Sequence, residues 1–171
     1  MSANTKQDRI FRNLLTYIDV QLGRILARKP VPIDLMALVT RNLIEVALWC
    51  EFITKNNENM QRFDKDVLVD VVEMFGLVDS SDPEYSSLER RVKQWEVSGK
   101  SMRLAKTGTH DKFWFKLCSK MVHPTAWSIN VLLSSSCTDF YRLQLGSYAL
   151  KCAIRAFCSL TALPLPTYIT S

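Results

Sequence analysis

The stretch KLCSKMVHPTAWS, residues 116–128, brings together side chains suited to acid–base chemistry. His123 carries an imidazole, the side chain that most readily takes or gives a proton at physiological pH. Ser119 lies four residues earlier, so the two side chains share one face if the segment is helical. Lys116 and Lys120 place cations in the two preceding turns, where they would stabilise a phosphorane-like transition state. These residues predict a site for phosphate chemistry.

A structural interpretation of His123 competes with the chemical one. Pro124 follows it, and proline disfavours helical geometry in the residue before it. A histidine near the C-terminus of a helix interacts favourably with exposed carbonyl groups and with the helix dipole. The sequence therefore predicts either an acid–base group or a residue that closes a helix.

A second candidate pair lies in TRNLIEVALW, residues 40–49. Arg41 and Glu45 are four residues apart and are therefore neighbours on one helical face. In a functional site Arg41 would hold a phosphate while Glu45 orients its side chain. The alternative is an ordinary surface pair worth about a few tenths of a kcal/mol.

Other chemistries have little support. The sequence contains no Gly-x-Ser-x-Gly elbow, and KTGT lacks the Walker spacing. The five cysteines include no Cys-x-x-Cys pair, which argues against structural zinc, and we expect no cofactor. Asp66, Asp70 and Glu73 share a helical face that would hold a divalent cation, but a solvated face is the simpler interpretation.

The net charge of +5 is unevenly distributed. Residues 1–30 carry six Lys/Arg against two acids, and residues 45–84 carry ten acids against three bases. Residues 89–120 carry nine bases against three acids. This alternation predicts a basic face for phosphates, solvated helices that differ in sign, or complementary patches that pair two subunits.

The elements that must position these residues are helices. Five glycines and six prolines are few, and no segment alternates with period two. Apolar residues at steps of three and four predict helices over about 5–28, 34–56, 58–75, 83–97, 110–123 and 125–160, with a break near 137 and an extended tail over 161–171. The expected fold is all-α, one domain over 1–171 with five or six helices.

Three features refine this prediction. Asp34 is placed to cap the second helix, and Gly76 to end the third. The last long helix, from about Thr138 to Leu160, has five larger apolar residues: Phe140, Leu143, Tyr148, Cys152 and Phe157. Trp95 and Trp114 are either core residues or surfaces on which bases stack.

The composition indicates a cytoplasmic, soluble protein. No charged segment precedes an apolar run at the N-terminus, so we expect no secretory signal. The longest uncharged run, residues 121–138, contains Pro124, Asn130 and four serines, which makes it too polar for a membrane span. The cysteines are expected to be reduced.

The segments RNLIEVALW and SKMVHP, in a long second helix and at the end of a later one, resemble a family of bacterial all-α proteins related to the HEPN domains (higher eukaryotes and prokaryotes nucleotide-binding). The similarity spans roughly residues 35–160. It implies a helical bundle that forms a homodimer. It also implies binding of RNA or a nucleotide, and in many members metal-independent RNA cleavage in toxin or antiviral systems.

The active motif of HEPN ribonucleases is an arginine, four to six residues, then a histidine, usually assembled across a dimer interface. The histidine corresponds to His123. The arginine would fall at Lys116, Leu117 or Cys118, of which only Lys116 is a cation. Lysine lacks the guanidinium fork, and Arg41 from the other helix is a candidate to supply it in space.

Two classes of function follow. In the first, the protein binds RNA or a nucleotide, with His123 as acid–base group and Arg41, Lys116 and Lys120 on phosphate. Glu45 and Ser119 would orient these groups. In the second, the protein is a non-catalytic helical module that dimerises or binds a protein partner.

Overall fold

The computed structural model of the protein describes residues 6–27, 30–76, 86–87, 90, 108–123 and 135–170. Every regular element in these ranges is a helix, so the predicted all-α fold class is confirmed. None of the helices in the described part of the chain has the length and apolar character needed to cross a membrane.

The described helices are α1 (Lys6–Leu26), α2 (Ile33–Ile53), α3 (Asn57–Gly76), α4 (Thr109–Val122), α5 (Ser135–Thr161) and the single turn α6 (Thr167–Thr170). Helix α5 begins three residues before the predicted start at Thr138 and continues through position 137, where we expected a break. Within the predicted helix over 83–97, residues 86, 87 and 90 are helical, and the others, with Trp95, lie outside the described residues. Residues 124–134 also lie outside them.

The end of the chain differs from the extended tail that its prolines suggested. Ala162 has a positive φ of 56°, and the N–H of Leu163 donates to the carbonyl of Cys158 at 3.1 Å. This arrangement is a Schellman motif, which satisfies carbonyls at the end of α5 and turns the chain. The helical turn α6 follows, and its Ile169 is only 6% exposed, so burial of an apolar side chain accompanies the turn.

Helices α2, α4 and α5 meet in one core cluster. Its buried members are Ile33, Met36, Ala37, Cys118, Met121 and Leu145. The hydroxyl of Thr40 lies 2.7 Å from the carbonyl oxygen of Met36 in its own helix and 3.1 Å from that of Leu145 in α5. Because Thr40 is buried, this polar contact joins α2 to α5 inside the core. A Cβ at Gly146 would lie 3.7 Å from the terminal methyl of Met36, which shows how closely the two helices approach.

Helix α1 joins this group through a buried polar contact. Gln21 is 1% exposed, and its Oε1 accepts hydrogen bonds from Asn42 at 3.2 Å and from Arg24 at 3.4 Å. Arg142 of α5 donates from Nε to the carbonyl of Val31 at 2.9 Å, which ties α5 to the segment between α1 and α2. These bonds satisfy polar groups that would otherwise be costly to bury.

Helix α5 buries only some of its larger apolar residues. Tyr148 and Cys152 lie in the core, as expected for apolar residues of a long helix. Phe140, Leu143 and Phe157 are instead 59%, 68% and 45% exposed. Of the five larger apolar residues of this helix, these three therefore lie on the face opposite the core.

The chain divides into two compact units, one formed by Met1–Glu51 with Thr107–Ser171 and the other by Phe52–Lys106. All candidate site residues belong to the first unit. In the second unit, Asn56 accepts a hydrogen bond from the N–H of Asn59 at 2.8 Å and so caps α3. The single domain over 1–171 stays a prediction.

Candidate functional site

His123 lies at the C-terminal end of α4. Its backbone is extended, with φ −97° and ψ 142°, and its N–H donates to the carbonyl of Ser119 at 3.3 Å. The hydroxyl of Ser119 donates in turn to the carbonyl of Phe115 at 2.8 Å. The backbone of His123 therefore closes the helix, while its side chain is exposed to solvent.

Arg41 brings a second cation to α4. Its guanidinium carbon lies 5.0 Å from the centroid of the Phe115 ring, within the range of a cation–π contact. Glu45, one turn further along α2, is half-buried. Near Arg41, burial raises the pKa of the Cys118 thiol to about 12, and the positive charge of Arg41 offsets only part of that effect. Cys118 is therefore a protonated packing residue.

The outward face of α4 carries the other candidate residues. Lys116, Lys120 and His123 are exposed and follow one another at steps of four and three, which keeps them on one side of the helix. Phe113, three residues before Lys116, extends the row and is 58% exposed. The structure thus brings these three predicted residues to one surface, and Ser119 is half-buried beside them. Arg41 of α2 lies over Phe115, which precedes Ser119 by one turn of α4.

The inward face of α4 carries a buried ionic cluster that we did not predict. It consists of Asp111, Arg155, Glu51 and Tyr148, and we call it the Arg155 cluster. Arg155 donates from Nη1 and Nη2 to the two carboxylate oxygens of Asp111 at 2.9 and 3.1 Å. Its Nε donates to Oε1 of Glu51 at 2.8 Å. One guanidinium therefore joins α5 to the start of α4 and the end of α2.

Tyr148 links the cluster to the protein surface. Its hydroxyl donates to Oδ1 of Asp111, and its oxygen lies 3.3 Å from Nδ1 of His110. The indole N–H of Trp114 donates to Nε2 of His110 at 3.3 Å. Because Nε2 acts as acceptor, the proton of a neutral His110 lies on Nδ1, where it can be donated to Tyr148. Trp114 also stacks on Tyr148, with centroids 5.1 Å apart.

The electrostatics of the cluster favour fixed protonation states. Burial alone would raise the pKa of Asp111, but the hydrogen bonds from Arg155 and Tyr148 outweigh it and lower that pKa below its usual value. Burial, together with the hydrogen bond to Asp111, raises the pKa of Tyr148. Burial opposes the charge of Arg155, yet its two carboxylate partners raise its pKa. The carboxylate is thus ionised and the phenol neutral at physiological pH.

These contacts make the Arg155 cluster a structural element rather than an acid–base site. Asp111 is 8% exposed, and both of its oxygens accept hydrogen bonds from within the protein. In the described part of the chain, no buried side-chain nitrogen or oxygen is without a hydrogen-bond partner. A carboxylate held in this way is a poor base, because protonating it would break the pairing with Arg155.

A signal for this cluster was present in the sequence. Tyr148, Cys152 and Arg155 follow at steps of four and three, so an arginine extends the apolar face of α5. An arginine on a core face requires a carboxylate partner, since an unpaired buried charge is strongly unfavourable. Periodicity alone does not identify that partner, and Asp111 is 44 residues away.

The described residues offer no group of three or more His, Cys, Asp or Glu side chains that would hold a metal ion. Of the acidic face considered above, the side chains of Asp70 and Glu73 lie outside the described residues. Trp114 is half-buried against the core cluster.

Comparison with known proteins adds no assignment. No family model, no curated protein and no solved structure matches the chain.

Replacing Arg155 by Met should strongly destabilise the protein. The change leaves Asp111 and Glu51 without their shared cation, and breaking a buried pair in this way costs about 3–5 kcal/mol. Adding Asp111→Asn should recover part of that loss, because the second change removes a buried charge. The free energy of unfolding in urea is the measurement.

The matched control is Arg62→Met. Arg62 pairs with Glu58 at 2.7 Å, but both side chains are exposed, so the loss should stay below about 1 kcal/mol. Equal effects of Arg155→Met and Arg62→Met would contradict a buried structural role for the Arg155 cluster.

The stability of the protein should also depend on acid pH through Asp111. The pKa of this carboxyl is lower in the folded than in the unfolded chain, where it is about 4. The stabilisation that Asp111 gives the folded protein is therefore complete above about pH 4, and it is lost as the pH falls through the lower pKa of this carboxyl in the folded chain. Urea midpoints between about pH 2 and 6 should fall less steeply on the acid side in Asp111→Asn than in the wild type. Parallel curves for the two proteins would rule out the linkage.

Proposed function

We propose that the protein binds RNA through the outward face of α4. The observation that carries this proposal is the exposed row of Phe113, Lys116, Lys120 and His123. Cations spaced along one helix face follow a phosphate backbone, and an exposed aromatic ring offers a surface on which a base can stack.

The Arg155 cluster supports this proposal by removing the one negative charge of α4 from its surface. Asp111 is the only acid between residues 109 and 123, and its carboxylate is buried and neutralised by Arg155. What α4 presents to solvent is therefore positive. Lys112, Lys116 and Lys120 give α4 three of the nine bases of residues 89–120, and such a concentration of positive charge attracts a polyanion.

The resemblance to the HEPN family extends the proposal to metal-independent RNA cleavage in a bacterial toxin or defence system. His123 would move the proton, and Lys116 would hold the phosphate in place of the arginine of the motif. Arg41 lies over Phe115 of α4 and would supply a guanidinium, with Glu45 and Ser119 orienting the reacting groups. The same resemblance implies that the protein is a homodimer and that a nucleotide is an alternative ligand, and the composition favours the cytoplasm as its location.

A second candidate function is a non-catalytic helical module that dimerises or binds a protein. Two observations favour it. His123 uses its backbone to end α4, which gives it a structural task, and α5 exposes large apolar side chains. RNA binding and cleavage assays separate this candidate from the first.

The double variant Lys116→Glu/Lys120→Glu should weaken binding of single-stranded RNA at least about tenfold, because it repels the phosphates that the row attracts. The slope of log affinity against log salt should also decrease by about 0.7 for each phosphate that the variant no longer neutralises. Fluorescence anisotropy of a labelled oligonucleotide at several salt concentrations measures both quantities.

The control Lys55→Glu/Lys65→Glu changes the net charge equally, but on lysines outside α4. Its affinity should stay much closer to that of the wild type. If both double variants lose affinity to the same extent, binding reflects net charge alone and the proposed surface is wrong.

If the protein cleaves RNA, it should do so in EDTA, and His123→Ala should abolish the activity while the variant stays folded. Lys116→Arg restores the arginine and histidine spacing of the HEPN motif and should raise the rate, since a guanidinium binds phosphate in a bidentate manner. Cleavage of several RNAs is measured alongside circular dichroism of each variant. Absence of cleavage in the wild type and in Lys116→Arg would contradict the extension to RNA cleavage, and the anisotropy measurement would then decide between RNA binding and the second candidate function.

A further inference from the structure

Helix α5 has two apolar faces, and in the part of the chain that the structure describes only one of them is covered. The covered face carries Leu145, Tyr148, Ala149, Cys152 and Ala156, all buried. On the opposite face, Phe140, Leu143, Leu150 and Phe157 are 59%, 68%, 52% and 45% exposed. A helix that is apolar all round is usually buried on all sides, so the exposed face requires a partner.

The spacing of the exposed face is that of a coiled coil. Its members follow at alternating steps of three and four residues: Phe140, Leu143, Ser147, Leu150, Ile154, Phe157 and Thr161. These are the a and d positions of successive heptads, and we call this row the α5 seam. A surface helix of a monomer has no need for such a row on the side facing away from its own core.

We infer that the α5 seam is the interface with a second copy of this chain, in which the two α5 helices pack antiparallel. An antiparallel pair places an a position of one helix against a d position of the other. In the register centred between Tyr148 and Ala149, Phe140 lies opposite Phe157 of the second copy. In the same register every other pair along the seam is apolar or small.

The pairs show why the partner is a second copy. Leu143 lies opposite Ile154 of the second copy, and the smallest residue, Ser147, lies opposite Leu150 of the second copy. The two-fold axis repeats each pair on its other side, as a self-complementary interface requires. One sequence therefore supplies both halves of the six layers between Phe140 and Phe157.

Charge and helix dipoles favour the antiparallel arrangement. Lys151 flanks the seam and in this register lies beside Gln144 of the second copy, so two like charges do not meet. Antiparallel helices place opposite ends of their dipoles together, whereas a parallel pair places like ends together. A parallel pair would also set Ser147 against itself and leave a gap in the middle of the seam.

The area is adequate for a dimer. The exposed parts of Phe140, Leu143, Leu150 and Phe157 together present on the order of 500 Å² of apolar surface. This is at the upper end of the largest apolar patch on a typical monomer, about 300–600 Å². Two copies would bury on the order of 1,000 Å² from these side chains alone, which is about the threshold for a specific interface.

The test measures the mass of the full chain in solution, without RNA, so its outcome does not depend on RNA binding. By sedimentation equilibrium the wild type should be a dimer at micromolar concentration, and Leu143→Glu/Leu150→Glu should be a monomer. The control Leu163→Glu/Leu165→Glu changes two leucines after α5 that are 53% and 40% exposed, and it should remain a dimer. Ser147→Leu fills the smallest layer and should lower the dissociation constant about tenfold or more.

The orientation is tested by a spin label at Thr161, an exposed residue at the end of the seam, in a Cys137→Ser background. Antiparallel helices place the two labels on the order of 37 Å apart, because they are about 25 residues apart along the helix axis. A parallel pair places them within about 20 Å. A monomeric wild type, a dimer insensitive to Leu143→Glu/Leu150→Glu, or a short distance between the labels would each overturn the inference.

Discussion

The pairing of Arg155 with Asp111 is the constraint on which the arrangement of the first unit depends. The guanidinium makes two bonds to Asp111 and one to Glu51, so it fixes α5 against α4 and α2 at a single point. Such a pair is stable in the interior only when its geometry satisfies both charges, and this requirement leaves little freedom for sliding or rotation. A helix anchored by a bidentate ion pair near its first turn has its rotation about its own axis set as well.

That rotation decides what α4 presents to solvent. With Asp111 directed inward, residues five and nine positions later point away from the core, because each residue turns the helix by about 100°. These residues are Lys116 and Lys120, and both are exposed. The buried pair of Asp111 with Arg155 and the exposure of Lys116 and Lys120 therefore both follow from one orientation of α4. A carboxylate held inside the protein in this way determines which cations of the helix face the solvent.

The helices could be predicted from the sequence because periodicity is a local property, but the contacts between them could not. In the Arg155 cluster, Arg155 binds Asp111, which lies 44 positions earlier in the chain, and Glu51, which lies 104 positions earlier. Nothing in the sequence spacing of either carboxylate identifies Arg155 as its partner. For α5 the sequence predicted the helix, but it did not show which of its apolar residues are buried. Large apolar residues lie on both faces of the helix, Leu145 and Tyr148 in the core and Leu143 and Phe157 outside it, so size alone does not identify the buried face.

The two interpretations of His123 are compatible, because they use different atoms. The contact that ends α4 is made by the backbone N–H of His123 with the carbonyl of Ser119, and it takes nothing from the imidazole. Pro124 enforces the extended backbone that places this N–H, and the same geometry puts the side chain at the exposed edge of the basic row. Closing the helix through the main chain also orders the backbone of His123, and this would hold its imidazole in position for the proton transfer that we propose.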